Sequence, residues 1–150
     1  MTDVVNFLFV WTCNFKGSKM AISKETKSLG MSWEKEYGYS QAVKVDNTIY
    51  VSGQVSHDDK GNIVGRGDME VQMRQAYANI KKVLAQYGAT MGNIVDEVLF
   101  VTDMDAAFAA RVKCKQEVFS GNPVLASTIV QIQRLAFLEL MVEIRCICKM

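Results

Sequence analysis

The chain carries one histidine and one proline in 150 residues, and none of its four cysteines stands in a Cys-x-x-Cys pair. Zinc and related metals need several thiol or imidazole ligands at defined spacing, so no metal site is expected. A domain of this length builds its own core without disulfide staples, which makes a reducing, cytoplasmic compartment the simpler expectation. A dominant charge is missing as well: 17 Lys and Arg stand against 16 Asp and Glu, dispersed along the chain. Nucleic-acid binders concentrate basic residues on one face, so no nucleic-acid partner is expected. Long apolar runs are also absent. The stretch "DVVNFLFVW" near the start is short and follows an acid rather than a basic run, which suits neither a membrane span nor a secretory leader. Residues 1–21 read as an extension of unknown role, and residues 22–150 as one domain with no membrane partner.

What is present has a clear order. Gln41–Val45 and Thr48–Val55 read as two strands joined at Asp46-Asn47, a two-residue hairpin signal. The cluster "HDDKGN", His57 to Asn62, reads as a turn that leaves His57 solvated. Asp68 stands at an N-cap position ahead of Met69, Met73, Ala76, Ile80, Val83 and Tyr87, which recur at helical spacing until Gly88. Ile94–Thr102 reads as a central strand, and a second helix is expected from about Ala106 to Phe119, stopped by "SGNP". Asp103 and Asp105 cap or precede that helix rather than hold a metal. "GRGDME" has neither P-loop nor dinucleotide spacing. Two strands, Ala126–Leu135 and Glu139–Cys148, complete a ββ-α-β-α-ββ order and one α+β domain.

Two helices cover only one face of such a sheet. Alternation assigns the faces. In the last strand Leu140, Val142, Ile144, Cys146 and Cys148 share an apolar side, with the two cysteines as small buried residues, while Met141, Glu143, Arg145 and Ile147 lie opposite. In the preceding strand Val130 and Ile132 take the apolar side and Ser127, Gln131 and Gln133 the mixed one. In the hairpin Ile49, Val51 and Val55 lie opposite Tyr50, Ser52 and Gln54. A mixed second face suits a wet interface between copies of the chain, with ligand sites along it.

"GYSQAVKVDNTIYVSGQV", "GDMEVQMRQAYANIKKVLAQYGA", "IVDEVLFVTDMDAAF" and "ASTIVQIQRLA…LMVEIRCI" occur in that order from about Trp33 to Cys148. Together they resemble the RidA/YjgF family of reactive intermediate deaminases, also labelled endoribonuclease L-PSP. The resemblance implies a chorismate-mutase-like subunit, a mixed six-stranded sheet with two helices on one face. It further implies a homotrimer with clefts between subunits and no cofactor. Family enzymes hydrolyse enamine or imine products to a 2-keto acid and ammonia. Such chemistry needs an anchor for the substrate carboxylate, partners for its nitrogen, and a water oriented by a carboxylate. Tyr39 matches the family's cleft tyrosine, Ser52 and Gly53 its "SGQ" backbone site, and Glu143 the glutamate of its closing strand. Gly53 admits two readings: close approach of a ligand or another chain to the backbone, or a bulge that bends the strand.

One position departs from the family pattern. Its signature "PARS" supplies the carboxylate-clamping arginine, and this chain has Leu125-Ala126-Ser127-Thr128 there. Ser127 offers a neutral hydrogen bond in place of a charged fork, and charge-assisted bonds are roughly twice as strong. Loss of the clamp removes on the order of ~2–5 kcal/mol of binding and orientation. Arg134 is expected out of reach, on the opposite face and roughly 23 Å along the strand at ~3.3 Å per residue. Arg145 shares the face of Glu143, where it either grips a substrate or pairs with Glu143 or another acid. The family's cleft asparagine is absent from "FAARVKCKQEVF". Two functions from different classes follow: a Rid-type hydrolase of imines or enamines, and a trimeric module that binds a small molecule without catalysis. A ribonuclease-like role finds little support in the dispersed basic residues.

Overall fold

The computed structural model describes residues 22–119 and 124–150. The extension 1–21, with Cys13, and the expected helix stop at 120–123, with Pro123, lie outside the described residues.

Asp68 caps the longest helix as its position predicts: its side chain accepts a hydrogen bond from the Val71 amide, 3.0 Å. Helix α2 then runs Met69–Ala85 and buries Met73, Ala76, Ile80, Val83 and Leu84 completely. Full burial of one large apolar side chain contributes about 1.5–3 kcal/mol, so this stripe is a main anchor of the core. Helix α3, Met104–Phe119, packs beside it, with Asp103 accepting from the Ala106 amide at its start. Both lie on one face of a six-stranded sheet.

The strands are β1 Glu25–Lys27, β2 Ala42–Val45, β3 Thr48–Val55, β4 Ile94–Val101, β5 Ala126–Gln131 and β6 Val142–Lys149. Their spatial order is β1-β2-β3-β6-β4-β5, antiparallel except for the parallel β4–β5 pair that α3 connects. The two-residue turn is where it was expected, with Asp46 in the left-handed region at φ 50°. Three short elements escaped sequence reasoning: strand β1, helix α1, Ser32–Glu36, and a 3-10 turn, Met91–Asn93. Each is too short for periodicity to register. No helix among the described residues is long and apolar enough to cross a membrane.

Within β6 the alternation holds: Val142, Ile144, Cys146 and Cys148 are buried in the core with the helices. It fails just before the strand, where Met141 packs against the core and the buried Leu140 is not part of it. Glu143, Arg145 and Ile147 are on the other, open face, beside Phe100, Val98 and Tyr50 of the neighbouring strands. Two further face assignments are corrected. A bulge between Val51 and Gln54 of β3 shifts the alternation, so Gln54 turns inward, 1% exposed. In β5 it is Ile129 that packs on the core, Val130 is exposed, and Ser127 lies on the helix side, opposite the buried Glu97 of β4. An edge strand gains less from burial, so its apolar pattern is a weaker guide to facing.

Candidate active site

The opening segment of the domain is tied down by one buried carboxylate. Glu34 of α1 accepts from the Ser28 hydroxyl, from the Leu29 amide at 3.0 Å and from Gln41 Nε2 at 2.9 Å. Burial pushes its carboxyl up, but these hydrogen bonds outweigh it and hold the group below its ordinary value. Gln41 accepts in turn from Gln54 Nε2 at 2.6 Å, and Ser52 donates to the Ser40 carbonyl at 2.7 Å. The α1 segment is thereby fixed against the bulge of β3, with Tyr39 between them.

Two further loops are held by polar side chains of α2. Asn79 Nδ2 donates to the carbonyls of Val55 and His57, both at 3.0 Å. Gln72 Nε2 donates to the Glu139 carbonyl at 2.7 Å, and Gln72 Oε1 accepts from the Met141 amide at 2.8 Å. Both amides are buried in a stripe otherwise apolar. Buried polar groups are retained where they satisfy backbone that has no strand partner, and that exception in the helix pattern is the signal for these loops.

A hollow of about 740 Å³ lies between these segments, lined by Trp33, Tyr37, Tyr39, Phe137, His57 and Glu143 among others. Its volume is in the range of small-molecule sites. Ser52 and Gly53 form part of its wall. The solvated reading of His57 is overturned: the residue is 5% exposed, bridges to Ile63, and meets the Trp33 ring edge-on at 5.3 Å. In the "HDDKGN" turn His57 is buried, while Asp59, Lys60 and Asn62 are exposed.

Glu143 has no hydrogen-bond or ion-pair partner among the described residues. Burial raises its pKa above the ordinary carboxylate value. Burial also raises the Tyr39 phenol, which therefore stays protonated and able to donate at neutral pH. Gly53 takes no positive φ, so its backbone does not require glycine. Space does: a Cβ at Gly53 would overlap the Glu143 carboxylate and stand 2.8 Å from its Cγ. The close approach is made by Glu143 of the same chain, and the bulge is present beside it. We predict that Gly53→Ala displaces Glu143 and lowers any Glu143-dependent turnover by about 10²-fold, the cost of a misplacement near 1 Å. An unchanged rate in a steady-state assay would show that the carboxylate position is immaterial.

Ser127 is not brought to this hollow. Its hydroxyl donates to Glu97 at 2.8 Å, within a cluster under α2 and α3 where Glu97 also receives Tyr77 at 2.9 Å and the Arg111 guanidinium. Arg111 lies over both the Tyr77 and Phe119 rings, at 5.3 and 5.1 Å. Burial pushes Glu97 up to about 7, the Ser127 hydroxyl opposes this, and Asp96 adds to it. Arg145 shares the open face with Glu143 but does not line this hollow, and it makes no ion pair among the described residues. The expected Arg145–Glu143 pair is thus not formed.

A family model described as endoribonuclease L-PSP matches residues 32–150. The chain belongs to the RidA/YjgF family. As a family member it is 36% identical over 110 residues to a RutC family protein of Sulfurisphaera tokodaii, covering 73% of this chain and 86% of that one. It is 37% identical over 67 residues to a 2-iminobutanoate/2-iminopropanoate deaminase of Mus musculus, covering 45% of this chain and 50% of that one. A YjgF/YER057c/UK114 family structure from Mycobacterium tuberculosis superposes with TM-score 0.74 at 26% identity, covering 85% of this chain and all of the other. The family's chorismate-mutase-like α+β fold is therefore the fold of this chain.

Proposed function

We propose that this family member hydrolyses reactive imines or enamines to a keto compound and ammonia. The observation that carries the reading is the partner-free, half-buried carboxylate of Glu143 in an aromatic-walled hollow. Ionised, it takes a proton from a water whose oxygen bonds to the imine carbon. It returns that proton to nitrogen to give the carbinolamine, then carries the carbinolamine hydroxyl proton to the amine, so that the C–N bond breaks and ammonia leaves as the carbonyl forms. Tyr39 donates to the substrate or the carbinolamine from the hollow's wall, and no cofactor is needed. The deaminase name borne by relatives such as the mouse protein supports the same chemistry.

The test is ammonia release from freshly generated imines, alkyl and aromatic, above their spontaneous hydrolysis. Acceleration is expected; rates equal to buffer for every imine would overturn the reading. The missing arginine at Ser127 favours a second reading, a binding module, which the same outcome combined with saturable ligand binding would establish.

The open sheet face, with Tyr50 47% exposed and Val130 39% exposed, supports a homotrimer built through this surface. Light scattering should give three times the chain mass, and a monomer would remove the trimer from the proposal.

A further inference from the structure

Glu143 lines two hollows, not one. The second, about 460 Å³, is formed by Phe100, Ile132, Arg134, Leu135, Ala136 and Glu143. The expectation that Arg134 stays out of reach assumed a strand continuing to Leu135. Strand β5 instead ends at Gln131, and the segment 132–141 leaves the sheet direction before β6 begins at Val142. Ser127 moreover lies on the helix side, so the side opposite it is the open face, and there Arg134 lines the hollow with Glu143, whose cross-strand neighbour is Phe100. Arg134 is exposed and makes no ion pair among the described residues. It is also the one lysine or arginine lining either hollow. Arg111, by contrast, is committed to Glu97.

The geometry points to Arg134 as the carboxylate anchor of this chain, taking over what the residue at Ser127 no longer supplies. A 2-imino acid would then lie across Glu143, its carboxylate on Arg134 and its side chain in the larger hollow. With Trp33, Tyr37, Tyr39 and Phe137 in the wall, that hollow suits a bulky apolar or aromatic side chain rather than a methyl group. The assignment rests on the deaminase reading for its substrate, yet anchoring is measurable without turnover.

The experiment uses stable keto acids as probes. Calorimetry compares phenylpyruvate, pyruvate and the carboxylate-free 2-phenylethanol on the full chain, its Arg134→Gln variant and its Arg134→Lys variant. Phenylpyruvate should bind about tenfold or more tightly than pyruvate, the weight of a buried aromatic ring against a methyl. Arg134→Gln should weaken phenylpyruvate by about 30-fold, with Arg134→Lys intermediate and 2-phenylethanol unaffected. Equal binding by wild type and Arg134→Gln, a loss shared by 2-phenylethanol, or no keto-acid binding at all would overturn the anchor. Ammonia release from the phenylalanine-derived imine then separates the two readings. Arg134-dependent binding without turnover leaves the anchor standing and ends the deaminase reading. Turnover with the same KM in wild type and Arg134→Gln does the reverse.

Discussion

Glu143→Gln is expected to lower kcat for imine hydrolysis by about 10²–10⁴-fold, the contribution of a positioned general base. KM should change little, because the amide keeps the shape of the site while losing the basic oxygen. The wild-type acid limb should have its midpoint above the ordinary glutamate value of about 4.3, since burial raises the Glu143 pKa and activity needs the ionised form. Activity should therefore rise with pH through that raised value, and the limb should vanish in the variant. The stability sign is opposite. A carboxyl whose folded-state pKa is raised contributes stability below its unfolded pKa, and loses it as pH rises through the folded value. At neutral pH the ionised group is a burden on folding, so Glu143→Gln should melt no lower than wild type. A pH–rate profile and a thermal melt on the same variant check both halves. A variant that loses activity by unfolding would remove Glu143 from the mechanism.

The second large effect is on stability. Arg111→Met should cost about 3–5 kcal/mol above neutral pH, because it leaves the Glu97 carboxylate, fully buried, without its counter-charge. For a domain of this size that lowers the melting temperature by about 10–20 °C. Burial already pushes Glu97 up to about 7, and removing the guanidinium leaves that burial unopposed by any cation in contact. The unfolded carboxyl ionises near 4.3, so the folded state takes up protons between roughly 4.3 and 7 and becomes less stable as pH rises through that window. The Arg111→Met deficit should accordingly shrink at about pH 5, where Glu97 is protonated and still bonded to Tyr77 and Ser127. Denaturant titrations at about pH 5 and about pH 8 measure it, and a deficit equal at both would show that charge pairing is not the cause. Replacing Glu97 by leucine together with Arg111→Met should recover most of the loss, since an apolar pair needs no compensation.

Much of this protein could be read from residue order alone. The stripe of α2 with its Asp68 cap, the Asp46-Asn47 hairpin and the Val142 to Cys148 alternation each depend on local periodicity or turn chemistry, which a linear sequence carries in full. The ordered segments also carried the family, and with it the grouping of Tyr39, Ser52, Gly53 and Glu143. Other features belong to the tertiary structure. The bulge at Ser52–Gly53 turned Gln54 inward, because one extra residue reverses every later side chain of a strand. His57 is buried because Trp33 and α2, distant in the chain, close over an otherwise polar turn. Glu97 lies at the same alternation as Leu99 and Val101, so an acid on the apolar side was visible, but its partners Tyr77 and Arg111 were not. Arg134 is the plainest case. Placing it beside Glu143 needed the facing of an edge strand, with Ser127 toward the helices, and the end of β5 at Gln131, neither of which its apolar pattern supplies.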